Sequence, residues 1–592
     1  MLPAQKKNNG HAPTKSLLSA VLVILLTVLI GSIICLSCVP PVSRDALTHH
    51  LALPKLYIKH GGMYEIPAMI FSYYPMNLEL LYIIPLYFGN DIAPKLIHFA
   101  FALLTAGLLY GYLKNRLDQE FALLGALFFL SLPIIVKLSI TVYVDLGLIF
   151  FSAASLIYVL KWIEHKFEMR LLVMSAVFCG LALGTKYNGL ITFLLLSLFV
   201  TYIYSKVVTG QEGSAIAGRP TDFSQAQRVG LQITYRAVRQ GATYMLIVLI
   251  VFSPWMIRNL IWVSNPIYPL YHSWFKPHKS PSLTRGKDHT QVRSSATAKK
   301  PPKPLGHFAV RRVLYHESLS QILLIPIRIF FQGQDDNPKY FDGKLSPYLF
   351  FFPFFVLLNA DKVSPQIRTE SKILFAFSIL YLLFAFFNID MRIRYIVPII
   401  PPLIILSIFG LHQLMALITE RFGGMPRRLL IGGLALIVAF MLSSNAAYVL
   451  EQFRYVDPLS YIGGRLGRDE YIQKYRPEYA ALKYANEYLP QDAKILALYL
   501  GNRRYYSDRN IYFGVKLFER TLKRSESAEK LLHNLGRQRI THLLVRYDLF
   551  DRFSKANFNA KQQETLRIFF ERHTKKLLLK DGHGLYELEV AS

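Results

Sequence analysis

The sequence predicts a polytopic α-helical membrane protein with about eleven spans, followed by a small α/β domain outside the membrane. Three observations predict this fold class. Hydrophobic residues make up 53% of the 592-residue chain and charged residues only 18%, whereas soluble domains average about 25% charged. Long apolar stretches recur as far as residue 450. The remaining tail, 451–592, is polar and alternates helix-like with strand-like segments.

The membrane domain, 16–450, is predicted from windows of roughly 20 mostly apolar residues, the length a helix needs to cross a bilayer. Two other apolar segments, 78–88 and 319–332, are short or interrupted, so we expect interfacial or re-entrant helices there. The predicted spans are 16–38, 92–112, 121–137, 141–161, 171–185, 188–205, 241–257, 345–360, 373–389, 394–415 and 429–450.

Lys and Arg in the short loops predict the orientation of the spans. With the N-terminus 1–15 in the cytoplasm, every inner connection is basic. The long basic connection 258–344 then falls outside, where the rule loses force because of the loop's length. The first loop, 39–91, and the tail 451–592 also face outside. No organelle signal is present, so we expect a bacterial inner membrane with a periplasmic tail.

The tail has the pattern of a small α/β domain carried on the last span. The first predicted elements of the tail are EYAALKYANEY, which has helical periodicity, and KILALYL, which has the pattern of a buried strand. The predicted order is a helix at 478–488, a strand at 494–500, a charged helix at 517–535, a strand at 541–547, a helix at 557–572 and a strand pair formed by KKLLLKD and LYELEV.

The charge balance narrows the possible partners. Lys and Arg exceed Asp and Glu by 29, and in a membrane protein this favours anionic headgroups or phosphate-bearing ligands. No nucleic-acid motif accompanies the excess. Cys35, Cys38 and Cys179 all lie in apolar stretches, so they predict no disulfide framework.

Polar side chains gather where the predicted spans reach the outer face. Ionisable groups at membrane depth are costly and indicate function by default. A single Lys or Arg there could simply snorkel to headgroups, but Asp45 and Asp145 gain little from an apolar boundary. The candidate residues are Asp45, His49, His50, Lys55 and Tyr74 in the first loop, Asp145, Lys186 and Tyr187 around the next turns, and Arg258, Asn259, Arg392, Arg394 and Tyr395 near the later spans.

Metal binding is not supported by the spacing of these residues. His49 follows Asp45 by four positions and would share its face in a helix. Two ligands do not make a metal site, and a hydrogen-bonded pair is the simpler interpretation. We therefore predict no cofactor, and a divalent metal stays an open alternative.

Several motifs occur in a fixed order on the predicted outer side. They are the early Asp45, the Tyr74-Pro75 turn, Asp145 heading the fourth span, GLALGTKYNG, PWMIRN…NPIYP and RY…PPL. In this arrangement, residues 16–450 resemble the GT-C superfamily of integral-membrane glycosyltransferases. The chain is similar to bacterial relatives of the protein O-mannosyltransferases and of the lipid A aminoarabinose transferase.

The resemblance implies transfer of a sugar from a polyprenyl-phosphate donor to an acceptor, with inversion at the anomeric carbon. This chemistry needs a base for the acceptor hydroxyl and cations for the leaving phosphate. We expect Asp45 to be the base and Arg258, Arg394 and Lys186 to hold the phosphate, since a guanidinium grips two phosphate oxygens. The other candidates would position the acceptor or the phosphate.

Two features depart from the family pattern. Many relatives carry Asp-Glu in the first loop, whereas this chain has Asp45-Ala46. The second carboxylate is therefore open among Asp145, Asp91 and Glu65. The Lys- and Pro-rich stretch 276–304 either attracts an anionic acceptor, such as a phosphorylated glycolipid, or is a solvated loop.

Three other functions predict sequence features that differ from those of a sugar transferase. A flippase or transporter for lipid-linked sugars should show polar groups at mid-membrane and broken helices in matching halves. A polysaccharide polymerase or ligase should have its key outer loop late in the chain, and a non-catalytic assembly protein would not depend on Asp45. Transfer is the preferred hypothesis. The sugar, and whether the acceptor is lipid, glycan or protein, stay open.

Overall fold

The chain forms a bundle of long apolar helices followed by a five-stranded sheet. The computed structural model describes residues 17–216, 223–275, 306–358 and 363–589, so the predicted N-terminal stretch 1–15 and the basic stretch 276–304 lie outside it. The first ten helices are α1 (Leu17–Ser37), α2 (Ala52–His60), α3 (Asn77–Tyr87), α4 (Ala93–Lys114), α5 (Gln119–Ser131), α6 (Pro133–Ser139), α7 (Asp145–Glu164), α8 (Met169–Thr185), α9 (Gly189–Ile216) and α10 (Phe223–Val263).

The second part of the bundle begins with short helices and ends with three long ones. The segment 319–332, predicted to be interfacial, contains two helices of only five and four residues, separated at Leu324. The helices are α11 (His272–Phe275), α12 (His307–Leu314), α13 (Leu319–Leu323), α14 (Ile325–Arg328), α15 (Tyr348–Phe351), α16 (Pro365–Asn388), α17 (Ile400–Arg421) and α18 (Gly424–Val456).

Eight helices in the described ranges are long and apolar enough to cross a membrane. The pair α5 and α6 would add a ninth span, although it is bent by 64°. Leu132 causes this break, because the residue before Pro133 takes an extended ψ of 133°. Two of the eleven predicted spans correspond to shorter apolar helices, Met169–Thr185 and Tyr348–Leu357. The polytopic helical class is confirmed, and the count of eleven stays a prediction.

Helix α7 lies at the centre of the bundle. In its apolar window 72% of residues are buried, against 11% in α18. It packs against α4 and α8, so its first residue, Asp145, is held deep between neighbours. The polar N-terminal end of α7 is therefore fixed by apolar packing along the rest of the helix.

The C-terminal sheet has the strand order β2-β1-β3-β5-β4. Parallel pairing joins β1 to β2 and β3, and antiparallel pairing joins β5 to β3 and β4. The predicted charged helix 517–535 is two helices, because Ser525 to Ser527 interrupts it. The elements are α19 (Pro458–Ile462), α20 (Arg468–Tyr475), α21 (Tyr479–Tyr488), β1 (Lys494–Leu498), β2 (Asn510–Phe513), α22 (Val515–Arg524), α23 (Ala528–Gly536), β3 (His542–Arg546), α24 (Tyr547–Asn557), α25 (Ala560–Arg572), β4 (Thr574–Lys580) and β5 (His583–Leu588).

Candidate functional site

Asp45 stands at the start of a π-helical turn, Ala46–His50, directly after the loop that leaves α1. Its Oδ2 accepts a hydrogen bond from Nη1 of Arg394 at 2.5 Å. Arg394 belongs to a short 3-10 turn just before α17. The pair therefore joins the loop after the first helix of the bundle to the segment before α17. The side chains of Arg394 and Asp45 are 15% and 22% exposed, which leaves the pair accessible from one side.

A second carboxylate–cation pair lies next to the first. Asp145 is buried at the start of α7, and Lys186 follows the last residue of α8. Lys186 Nζ donates to Asp145 Oδ1 at 2.6 Å. The Lys186 ammonium lies 5.1 Å from the centre of the Tyr395 ring, and the Arg394 guanidinium lies 5.3 Å from it. The two pairs therefore meet around Tyr395.

One of the two predicted histidines, His50, contacts Glu79, a residue that the sequence analysis did not identify. His50 Nδ1 and Glu79 Oε1 share a hydrogen bond of 2.8 Å, and both side chains are buried. Burial raises the pKa of Glu79 to about 8 and lowers the pKa of His50 to about 4. His49 stacks on Phe71 with ring centres 4.0 Å apart. The isolated acidic residue in the apolar run NLELLYIIPLY was the signal that could have indicated Glu79.

Charge also sets the protonation of Asp45. Burial by itself would raise the pKa of this carboxyl, but the Arg394 charge and the neighbouring His49 and His50 outweigh it. The pKa of Asp45 consequently lies well below its usual range. Asp45 is a carboxylate held by Arg394, and its basicity depends on whether Arg394 stays with it.

Several buried polar atoms in this cluster have no hydrogen-bond partner among the described residues. They are Asp145 Oδ2, Glu79 Oε2, Arg394 Nε and His49 Nδ1. Buried polar atoms in folded proteins are normally hydrogen-bonded, so unpartnered ones need an explanation. Four of them in one cluster indicate a place where a polar ligand completes the hydrogen bonding.

A cavity of about 280 Å³ opens beside the Asp45–Arg394 pair. Lys137 at its wall lies 3.2 to 3.7 Å from carboxylate oxygens of Asp335, Asp336 and Asp342. Sequence reasoning missed Lys137, because it only appeared as the last residue of an apolar span. The polar residues lining the cavity are Arg44, Asp45, Lys137, Tyr143, Asp336, Asp342, Arg392 and Arg394.

Arg258 and Asn259 form a neighbouring group inside the last turns of α10. They were expected beyond the end of this span, but the helix continues to Val263 because the sequence remains apolar. Arg258 Nη2 donates to the Tyr74 carbonyl at 3.0 Å, and its guanidinium lies over Trp255 and Trp262.

Tyr187 links this group to the carboxylate–cation pairs. Its ring centre is 5.3 Å from that of Tyr74, and its hydroxyl donates to the Tyr268 carbonyl at 2.8 Å. Because Tyr187 follows Lys186 directly, the Arg258 group and the Lys186–Asp145 pair are held by one short turn.

Three predicted residues are not brought into the cluster. Lys55 Nζ points to the tail and donates to Asp508 Oδ1 at 2.7 Å. Asp91 pairs with Arg468 of the tail at 2.5 Å, and Glu65 accepts from the Tyr73 hydroxyl. Within residues 17–216, 223–275, 306–358 and 363–589, no group of three or more His, Cys, Asp or Glu could hold a metal ion.

The chain is similar to a known protein family and to solved structures of membrane proteins. A family model described as dolichyl-phosphate-mannose-protein mannosyltransferase matches residues 61–217. The crystal structure of ArnT from Cupriavidus metallidurans in the apo state is 13% identical to the chain, with 97% of this chain and 99% of that chain covered and a TM-score of 0.53. The chain has the GT-C fold. The same ArnT bound to undecaprenyl phosphate gives 13% identity, coverage of 97% and 99%, and a TM-score of 0.52.

The shared fold confirms the resemblance indicated by the motifs. The family match includes Tyr74, Asp145, Lys186 and Tyr187 but ends before α10 and α17. A search of curated proteins finds no match.

Proposed function

We propose that this GT-C protein transfers a sugar from a polyprenyl-phosphate donor to an acceptor hydroxyl at the outer face of a bacterial inner membrane. One observation carries the proposal. The pairs Asp45–Arg394 and Asp145–Lys186 meet at the Tyr395 ring, beside a cavity lined by charged side chains. A base and two cations in this arrangement meet the needs of a reaction whose leaving group is a phosphate.

The donor phosphate is held by Lys186 and Arg394, the two cations that pair with Asp145 and Asp45. Arg394 retains an unpartnered Nε, and Lys186 makes one hydrogen bond, to Asp145. Each side chain can therefore bind a phosphate oxygen without first breaking a complete set of hydrogen bonds. Arg258, with its guanidinium already over Trp255 and Trp262, supplies the next positive charge along the path of the lipid.

Asp45 acts as the base in this mechanism. The acceptor oxygen forms a bond to the anomeric carbon, the bond from that carbon to the phosphate oxygen breaks, and the electron pair leaves on the phosphate. The acceptor proton passes to Asp45. When the phosphate draws Arg394 away, the pKa of Asp45 rises because its main neutralising charge is lost. Donor binding thus makes the carboxylate more basic, and attack from the opposite face inverts the anomeric carbon.

The acceptor is placed in the cavity beside Asp45. Its lining contains four cations, Arg44, Lys137, Arg392 and Arg394, and three carboxylates. Lys137 is balanced by aspartates, whereas Arg44 is exposed and forms no ion pair with the described residues. Arg44 is therefore available to an acceptor that bears an anionic group, whether it is a glycolipid, a glycan or a protein.

The test is transfer of radiolabelled sugar from polyprenyl-phosphate donors in proteoliposomes, comparing wild type with Asp45→Asn. The substitution keeps the shape of the side chain and removes its basicity, so transfer should fall by about a hundredfold or more. Asp469→Asn is the matched control, since that aspartate pairs with Lys483 in the tail. Unchanged transfer in Asp45→Asn would exclude this base. Movement of lipid-linked sugar across the bilayer without transfer would instead support a flippase.

A further inference from the structure

The turn that carries the candidate base is held by the C-terminal tail. In an α-helix, the Leu47 carbonyl would accept the N–H of Leu51. Here the Leu51 N–H donates to the Ala46 carbonyl at 2.9 Å, as a π-helical turn requires. The Leu47 carbonyl instead accepts backbone N–H groups of Arg504 and Tyr505, both at 3.1 Å. Two residues of the tail thus complete the backbone hydrogen bonding of the turn.

Further contacts fasten the tail on both sides of this turn. The Tyr506 hydroxyl donates to the Pro41 carbonyl at 2.8 Å, four residues before Asp45. On the other side, Lys55 Nζ donates to the Tyr505 carbonyl at 2.8 Å and to Asp508 Oδ1 at 2.7 Å. Residues 504–508, which we call the brace, therefore span the whole first-loop segment 41–55.

The brace is itself anchored, so it can hold the turn against movement. Tyr505 is buried, and it packs with Ala46, Leu47 and Leu51 in one apolar cluster. Its hydroxyl donates to Asp91, which is also paired with Arg468 of α20. The brace is thus attached at once to the membrane bundle and to the helices that precede the sheet.

The internal bonds of the tail fix the shape of the brace. Asn486 of α21 donates its side-chain amide to the Tyr506 carbonyl at 2.8 Å and accepts from the Asp508 N–H at 2.8 Å. The brace is therefore also held from within the tail, by bonds separate from its contacts with the first loop.

We propose that the brace is a positioning element of the catalytic turn, which aligns Asp45 with the acceptor and the donor sugar. The inference rests on the proposed function, because it assigns the tail a part in the same reaction. The phosphate-holding residues Lys186, Arg258 and Arg394 stand after α8, in α10 and in the 3-10 turn before α17, so none of them lies in the segment 41–55 that the brace holds. Loosening the brace should consequently lower kcat and leave donor binding almost unchanged, since a misplaced base slows the chemical step.

The first test uses Asp508→Lys, which replaces an attractive contact with Lys55 by a repulsive one. We expect kcat to fall by about tenfold while the donor KM changes by less than about twofold. Adding Lys55→Asp restores the opposite charges in reversed order but not the bond that Lys55 donates to the Tyr505 carbonyl, so it should recover part of kcat. Tyr506→Phe, which removes only the hydroxyl bonded to Pro41, should give a smaller loss of kcat in the same direction. Arg567→Gln is the control, because it removes exposed ion pairs elsewhere in the tail.

Hydrogen exchange measured on the full-length chain provides a readout separate from turnover. Backbone amides in 41–55 should exchange faster in Asp508→Lys, and those in 530–536 should not. An unchanged kcat despite faster exchange in 41–55 would overturn the proposal, as would a reversed pair that recovers no part of kcat. Absence of sugar transfer by the wild-type protein would overturn the proposed function, whereas the exchange result would still show whether the brace holds the turn.

Discussion

Helix α7 has a charged cluster at each end, and the two clusters are built differently. Near its last residue, Glu164, the guanidinium of Arg116 bonds both Glu164 and Glu370. Glu370 also accepts from the Tyr112 hydroxyl at 2.7 Å. The Arg116 and Glu370 side chains are 10% and 6% exposed, and neither is left with an unpartnered buried atom. This end is a closed network that joins α4, α7 and α16.

At the other end, around Asp145, the charges are close but their hydrogen bonding is incomplete. Lys186 and Arg394 each hold one carboxylate, while Asp145 Oδ2 and Arg394 Nε have no partner in the described ranges. Leaving such atoms unsatisfied costs stability, and a protein retains them where a ligand completes the set. We propose that the Asp145 end is a binding cluster, because the incomplete hydrogen bonding of its charged side chains, more than the presence of buried charge, distinguishes it from the Arg116 end.

The largest effect on stability should come from the closed cluster. Arg116→Gln would leave Glu370 and Glu164 without their cation, and breaking a buried ion pair in this way costs about 3 to 5 kcal/mol. We expect a large fall in the thermal midpoint in detergent, with activity per folded molecule close to wild type. If Arg116→Gln kept its thermal midpoint but lost turnover, the Arg116 cluster would take part in catalysis. The proposed difference between the two ends of α7 would then be wrong.

Arg394→Gln should have the opposite profile. Loss of a cation that stabilises the leaving phosphate should lower kcat by about 100- to 1,000-fold. Asp45 is partly exposed to the cavity, so the thermal midpoint should fall less than in Arg116→Gln. Arg394→Lys keeps the charge without the guanidinium fork and should retain intermediate activity. Full activity in Arg394→Gln would remove this residue from the phosphate site.

The fold was largely predictable because its signals are local. Long apolar runs and alternating tail segments can be recognised within a single window of sequence. The break at Leu132 was missed because averaging over a window hides one Leu-Pro step. Strand β2 was missed because Asn510–Phe513 has only four residues, too few to show a period.

The site was predictable in residue type but not in pairing. Asp45 and Arg394 were both identified from their position at the ends of apolar runs, although 349 residues separate them in sequence. Lys55 looked equally suitable by the same criterion, yet its partner lies 453 residues away in the tail. Glu79 was passed over because its segment, 78–88, is predicted to be interfacial or re-entrant, and an isolated acidic residue is less conspicuous there than inside a span. Only the packed structure supplies these long-range partners.

A smaller effect is expected at the Asp145 end of α7, where Glu79 and His50 should make the free energy of unfolding depend on pH. The folded pKa of Glu79 is raised to about 8 by burial, so between its usual value and pH 8 the folded state holds a proton that the unfolded state has released. Stability therefore falls as pH rises through this window. The pKa of His50 is lowered to about 4, which has the opposite sign and acts only below the usual histidine pKa of about 6.5. Between about pH 6.5 and 8, the contribution of Glu79 to the slope is therefore negative, and it is measured as the difference between wild type and a variant without this carboxyl.

Glu79→Gln should remove that contribution, because glutamine does not titrate. Relative to the variant, the free energy of unfolding of wild type should fall by up to about 1.4 kcal/mol per pH unit between about pH 6.5 and 8. Thermal midpoints of both proteins across this range provide the measurement. Asp469→Asn is the control, since hydrogen bonding from Lys483 lowers the pKa of Asp469 and keeps its titration far below this window. Parallel pH dependence in wild type and Glu79→Gln would mean that Glu79 is ionised in the folded state. The His50–Glu79 contact would then be a buried ion pair, like the Arg116–Glu370 pair at the other end of α7.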